Sequence, residues 1–552
     1  MPDSGLNTGA VAPALSTAQT EETFSLYRYD SDLKDRVSYL GPQSQIGEES
    51  LVSSLNQYYA VEEIAEYLLK NEQFRHITLQ FPDSLVQDSS LIVQSLQEKL
   101  DLSCSGVKRK IWTLADTAYS ACCVDEVASE HVKGDLVIHF GDACLNAVQS
   151  LPVLYAFGKP YLDLPQIISK FKDVHKDKEA KICLMADAPY SYGLAPLCDA
   201  LEKDGFQNIL YAIIDDSLAG NNAVILHQSS LRTRSYKEVG RLGNRVLVTN
   251  NNEIEPLDAT NKVLRDDYAL FHITIPQDPH LLFLTTQFNS IALYDPSSGS
   301  INEGPFPSLM KRYRNMHIAR TAGCIGILVN TLSLKNTKEM INTLIRLIHS
   351  KGKKHYLFVV GKPNVAKLAN FEPIEVWCIL GCGQSGIILD QYNEFYKPII
   401  TPYELTMALQ EDVTWTGQWM VGFSEVLAAI EEDVQDEQSS SGSAEDPDQP
   451  EFDAVTGKYV STARPLRQIR HLEIGDSEEE TSTSLIQSVS GGVLIKGTVS
   501  TAAAQMQNRQ WQGLGSDFAS QSHYEEDGAT VEEGISGVAS SYQFDRITRN
   551  AN

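Results

Sequence analysis

Nine cysteines are spread over 552 residues, and four of them stand where a chain could do chemistry. Cys122 and Cys123 follow the strand-like run KIWTLAD (Lys110–Asp116) after the turn TAYSA. Cys144 comes just after DLVIHFG (Asp135–Gly141), and Cys382 ends VWCILGC (Val376–Cys382). All lie at the carboxyl ends of expected strands, where ligands bind in parallel α/β sheets. Thiolates gathered from three strand ends would form a soft metal site. Three distant thiolates suit a cubane cluster with one iron open to an outside ligand, which the spacing permits without establishing. Zinc is the rival reading, because His131 and His139 lie between Cys123 and Cys144. Against it, no C-x2-C pair occurs, and adjacent Cys122 and Cys123 cannot both face one site along a regular strand. A C-x2-C-x2-C ferredoxin run is also absent.

Other features read as structure. Cys104, Cys183 and Cys198 are expected as small core residues, as are Cys324 and Cys378. Gly381–Gly386 spells G-x-G-x-x-G after a strand, but the β-branched run that follows soon meets Pro398 and makes a poor dinucleotide helix. A vicinal Cys122–Cys123 disulfide has no C-x-x-C context to support it. Lys311-Arg312-Tyr313-Arg314 reads as a solvated helix face first and an anion pocket second.

The elements that must position these residues alternate along the chain. Short apolar runs such as HITLQF, KICLMADA and CIGILVN are separated by amphipathic stretches such as TKEMINTLIRLIHSKG. That pattern predicts parallel strands buried on both faces, in three consecutive α/β units. Residues 1–50 are expected as a flexible arm. The three α/β domains are placed at 51–160, 161–300 (with an insertion near 215–266) and 301–430. Residues 431–552 are expected as an acidic, mostly disordered tail. They hold 22 acids and 8 bases, and Glu431–Asp453 has ten acids and no base.

The whole chain carries 45 Lys and Arg against 72 Asp and Glu, a net charge of −27. This excludes nucleic acid and anionic membranes as expected partners, since both need a basic face. No apolar run approaches the ~20 residues of a membrane span. The first residues lack a secretory pattern, and an odd cysteine number suits a reducing compartment, so a cytoplasmic location is expected.

Six stretches carry a family resemblance. They are ITLQFPDSL (Ile77–Leu85), LADTAYSACCVDEVASEH (Leu114–His131), VIHFGDACLN (Val137–Asn146), GPFPSLMKRY (Gly304–Tyr313), TAGCIGILVNTLSL (Thr321–Leu334) and HYLFVVGKPNVAKLANF (His355–Phe371). These resemble the second subunits of 2-(3-amino-3-carboxypropyl)histidine synthase, the diphthamide-biosynthesis family in its fungal form. The resemblance implies three related α/β domains around a central cleft. It also implies a [4Fe–4S] cluster on Cys123, Cys144 and Cys382, with Cys122 the alternative to Cys123. The partners it implies are the first, catalytic subunit of a heterodimer, elongation factor 2 as protein substrate, and a small electron-donor protein. In that family a 3-amino-3-carboxypropyl radical from S-adenosylmethionine, the co-substrate, is added to a histidine of elongation factor 2. Catalytic subunits take one cysteine from each domain. Here the middle domain offers only Cys183 and Cys198, neither at a strand end of the expected kind. The implied role is therefore accessory, supporting reduction of the partner's cluster. A directly catalytic radical enzyme and a metal-free scaffold are the alternatives.

Overall fold

The structure is a computed structural model that describes residues 39–41, 48–102, 108–114, 120–148, 150–215, 222–226, 236–257, 260–307, 309–331, 334–410, 417–439, 450–460, 463–465, 494–495 and 498–499. The chain divides into two units, Met1–Ile469 and Arg470–Asn552. In the second unit the described residues pair Leu494–Ile495 with Thr498–Val499 as a small hairpin.

The first unit is built on three larger sheets, with separate apolar clusters on the first and second and one that joins the second sheet to the third. Its first strands are β1 (His76–Gln80), β2 (Lys110–Leu114), β3 (Leu136–Phe140) and β4 (Val153–Ala156). They run parallel in the order β2-β1-β3-β4. Next come β5 (Ile182–Ala186) and β6 (Ile209–Ile214), both continuously buried runs. β7 (Ala223–Ile225) returns to the first sheet beside β4. β8 (Lys237–Leu242) and β9 (Arg245–Thr249) form an antiparallel hairpin against β6. β10 (Ala269–Ile273) and β11 (Ser290–Asp295) complete a parallel core of order β11-β10-β5-β6, with β12 (Ser300–Asn302) antiparallel at its edge. In the third sheet β13 (Cys324–Val329), β14 (Lys354–Val359), β15 (Val376–Leu380) and β16 (Ile399–Ile400) lie parallel in the order β14-β13-β15-β16.

Each core therefore has one strand order. The first strand sits inside, the second on one side of it, and the third and fourth on the other. The chain leaves the first strand in one direction and returns in the opposite one, which opens a crevice at the carboxyl ends of the first and third strands. The expected α/β class with parallel-type sheets is what is found. Helices cover the strands with apolar stripes, as in Thr337–Ser350, where Met340, Leu344 and Ile348 are buried at helical spacing.

Two expected boundaries are crossed. The stretch read as an insertion near 215–266 supplies β7 to the first sheet and the β8–β9 hairpin to the second. Helix Phe423–Ser439 runs through residue 430. Beyond it, β17 (Glu451–Asp453) and β18 (Lys458–Val460) pair within the expected tail. This segment is fastened to the body. Glu451 meets Arg320 at 3.4 Å, and the Lys353 ammonium donates to the Ala463 carbonyl at 3.1 Å. Burial pushes Lys353 down to about 8. Of the expected arm, Tyr39 is described and is buried, donating to Asp88 at 2.5 Å. The rest of the arm up to residue 38, and the tail beyond residue 499, lie outside the described residues. No helix among the described residues is long and apolar enough to cross a membrane.

Candidate metal centre

The crevices of the first and third sheets face one another, and cysteine loops fill both. Cys122 and Cys123 are carried on a turn after β2, closed by the Cys123 N–H donating to the Ser120 carbonyl at 2.9 Å. A turn does not alternate its side chains as a strand does. This is why the two adjacent residues face one site, contrary to the expectation drawn from a regular strand. Cys144 follows β3 and anchors its N–H on the Cys122 carbonyl at 3.0 Å. Cys382 follows β15. The sulfurs of Cys122, Cys123, Cys144 and Cys382 all lie within 4.8 Å of one another, and all four residues are buried. Cys122 Sγ is 3.6 Å from Cys382 Sγ, and Cys144 Sγ is 3.7 Å from Cys123 Sγ.

The loops are held by polar side chains that the sequence reading did not single out. Gln80, closing β1, donates to the Cys123 carbonyl at 2.7 Å and accepts from Asp125 N–H at 3.0 Å. Its amide thus clamps the exit of the cysteine turn with both its donor and its acceptor. Asp125 then caps helix Glu126–His131 through Ala128 N–H. Asn146 Nδ2 donates to Cys144 Sγ at 3.1 Å and lies 3.8 Å from Cys382 Sγ. Ser385 Oγ is 3.0 Å from Cys122 Sγ. Asn244, in the β8–β9 turn, donates to the Cys144 carbonyl at 3.2 Å and reaches Gln384 at 3.5 Å, while Gln384 donates to Asp142. One asparagine of the second sheet therefore ties together the cysteine loops of the other two. The polar Gln80 at the end of the strand run HITLQ was the available signal.

The G-x-G-x-x-G motif has a different use from phosphate binding. No helix follows β15. The loop curls back instead, with Gly386 N–H donating to the Cys382 carbonyl at 2.8 Å. A Cβ on Gly386 would lie 2.5 Å from Cys382 N and 2.6 Å from Ser120 Oγ, and one on Gly381 would lie 2.4 Å from the Gly386 carbonyl. The glycines let the third sheet's loop close onto the first sheet's cysteine turn.

Of the basic cluster, Arg314 is exposed as expected, and Arg312 departs from the reading. Arg312 is neither solvated nor open to an anion. It is 1% exposed and binds Glu404 at 2.7 and 2.5 Å.

Hydrogen bonds from Cys122, Cys123 and Cys144 hold the Cys382 thiol well below its ordinary value. Cys123 is pushed well up by its bonds to Cys122, Cys144 and Cys382 and by burial. For Cys122 the bond with Cys123 lowers the value, and Cys144, Cys382 and burial together outweigh it. Neither expected zinc histidine joins the group. His131 is exposed, and burial holds His139 down to about 4, its Nε2 facing the Asp142 carbonyl at 3.1 Å. Cys183, Cys198, Cys324 and Cys378 are buried outside the cluster, as read, and Cys104 lies outside the described residues.

The donor set fits a thiophilic metal group, an iron–sulfur cluster or a single tetrahedral ion alike. It offers four unpaired thiols and no carboxylate or imidazole ligand. Beside them the buried Tyr155 hydroxyl has no hydrogen-bond partner among the described residues. A cavity of about 470 Å³ borders Cys144 and Cys382 and is walled by Met185, Leu242, His280 and Phe283.

Comparison with known proteins places the chain. Residues 81–420 match the family described as "Putative diphthamide synthesis protein". Subunit 2 of 2-(3-amino-3-carboxypropyl)histidine synthase from Candida glabrata is 54% identical over 541 residues, 97% of each chain. The Kluyveromyces lactis subunit 2 is 52% identical over 589 residues, covering 98% of this chain and 99% of that one. Among solved structures, Dph2 from Pyrococcus horikoshii with a 4Fe-4S cluster aligns at 17% identity and TM-score 0.48, over 66% of this chain and 95% of that chain. On the match over residues 81–420 and the near full-length likeness to the yeast subunits, this chain belongs to the diphthamide synthesis family.

Proposed function

We propose that this chain is the iron–sulfur subunit of a cytoplasmic heterodimer. The complex transfers the 3-amino-3-carboxypropyl group of S-adenosylmethionine to a histidine of elongation factor 2. The relatives' designation as subunit 2 supports a homologous first subunit as partner. Cys123, Cys144 and Cys382 would hold a [4Fe–4S] cluster, and Cys122, in the same sulfur group, would be able to supply a fourth thiolate.

The observation that carries this reading is the convergence of four thiol sulfurs, not three, in one buried site. A cubane with a thiolate for every iron keeps no position for a substrate. When bound, such a group supplies one-electron chemistry, while the protein sets its potential and access. The role is then to receive an electron from a small donor protein and pass it to the partner's cluster. This chain's residues orient the sulfurs (Gln80, Asn244), donate to them (Asn146) and exclude water through the packed loops.

A second reading has one observation in its favour. The cavity beside Cys144 and Cys382 is large enough for an organic ligand, as a directly catalytic subunit would need.

The test is anaerobic reconstitution of the isolated full chain, followed by iron, sulfide and zinc analysis and by electron paramagnetic resonance with and without S-adenosylmethionine. The expected result is iron with matching sulfide and a reduced spectrum that S-adenosylmethionine leaves unchanged. In Cys122→Ala an added ligand should perturb the spectrum, because one iron is opened. Zinc without sulfide would overturn the cluster assignment. A wild-type spectrum shifted by S-adenosylmethionine, with product formed by this chain alone, would favour the catalytic reading.

A further inference from the structure

Tyr155 lies on β4, opposite His139 of β3 in the parallel register. Its ring is wedged edge-on against His139, at 5.7 Å between centroids, and stacks on Phe157 at 5.9 Å. The residue is 1% exposed. A buried tyrosine hydroxyl ordinarily finds a partner, because an unpaired donor forfeits the hydrogen bond it had to water. This one has none among the described residues. It borders a void of about 10 Å³ whose walls include Cys123, Cys144, Asn146 and Glu126. That space is at the lower limit for a single water. A phenol keeps its proton at neutral pH, so the hydroxyl of Tyr155, which shares the lining of this void with Cys123 and Cys144, is available there as a donor. Asn146 already donates to Cys144 Sγ at 3.1 Å.

We infer that the Tyr155 hydroxyl is a hydrogen-bond donor to the sulfur of the bound cluster, or of its Cys123 and Cys144 ligands, and raises the cluster's reduction potential. The inference rests on the iron–sulfur reading above. In the step concerned, one electron enters from the external donor. No covalent bond breaks, and the phenol keeps its proton. The reduced cluster is the more negative state, so a fixed O–H dipole stabilises it more than the oxidised one. Tyr155 is thus a positioning and tuning residue that touches the cofactor's sulfur but does not react.

The experiment compares wild type and Tyr155→Phe as reconstituted full chains, in a dithionite titration with redox mediators followed by electron paramagnetic resonance. Phe keeps the ring contacts and removes only the donor. The expected result is unchanged iron and sulfide content and a reduction constant about tenfold lower, equivalent to about 59 mV for one electron. Exchange into D₂O should shift the iron–sulfur resonance Raman bands of wild type more than those of the variant. Equal potentials at full cluster content would overturn the inference and assign the hydroxyl to a water or to Glu126. If Tyr155→Phe does not hold the cluster, 3-fluorotyrosine at position 155 decides. Its more acidic phenol should raise the potential, and no rise would overturn the inference. A wild-type chain without iron and sulfide would sink the underlying reading instead, so the two failures are distinguishable.

Discussion

Cys122 and Cys382 are 260 positions apart in the chain, yet their sulfurs lie 3.6 Å from each other. The contact joins the loop after β2 of the first sheet to the loop after β15 of the third. The site therefore exists only when both sheets are folded and docked, and its occupation should stabilise the whole first unit by mass action.

The ligand assignment separates the cysteines into two groups. Cys144→Ala and Cys382→Ala should each lose most of the bound iron. Cys198→Ala should keep it, because Cys198 sits in helix Leu194–Lys203, outside the four-sulfur group. Iron and sulfide assays on the reconstituted proteins check this, and equal loss in all three would count against the assignment.

Gly386→Ala should be far more damaging than its single methyl group suggests. The new Cβ would meet Cys382 N at 2.5 Å and Ser120 Oγ at 2.6 Å. Overpacking of this kind costs about 1–3 kcal/mol. Here it would also part the two cysteine loops. Urea denaturation should show the destabilisation, and iron content should fall with it.

Arg312→Met should destabilise the chain by about 3–5 kcal/mol, because it leaves Glu404 buried without its cation. Glu404 is fully buried and also accepts the Trp419 indole N–H at 2.8 Å. The double variant Arg312→Met with Glu404→Gln should recover part of the loss. Chemical denaturation of the single and double variants measures the coupling.

Burial holds His272 down to about 4, below its ordinary value of 6.5. Above pH 6.5 both folded and unfolded chains keep it neutral, and its contribution is complete. As pH falls towards 4 the unfolded chain takes up the proton first, so stability is lost. The stability advantage of wild type over His272→Gln should narrow by about 1.4 kcal/mol per pH unit across that window. Denaturation curves at pH 7 and pH 5 test the slope, and a constant difference would contradict it.

Shortening the acidic run between Ser439 and Pro450 should leave iron content unchanged. That run joins helix Phe423–Ser439 to the β17–β18 hairpin, and the cysteine loops are held by other residues. Loss of iron on such a deletion would place the run against the site.

How far the amino-acid order reached can be read from particular residues. The apolar runs Ile182–Ala186 and Val376–Leu380 announce strands buried on both faces, because a run without alternation must be covered twice. Cys144 and Cys382 were legible as candidates because each follows such a run, and Cys123 because it follows the strand-like KIWTLAD, whose strand lies at the sheet edge; strand ends are where α/β crevices open. Three features were not legible. Cys122 joins the sulfur group because its turn breaks strand alternation, a backbone choice that residue types alone leave open. Arg312 is buried because Glu404, 92 residues later, arrives beside it. Gln80, Asn244 and Tyr155 acquire meaning only from what lies across a gap between loops. Local pattern depends on neighbours in the chain and determined the strands and the candidate thiols. Which sulfurs meet, and which polar atoms are left facing them, depends on packing between distant segments, and that only the tertiary structure decided.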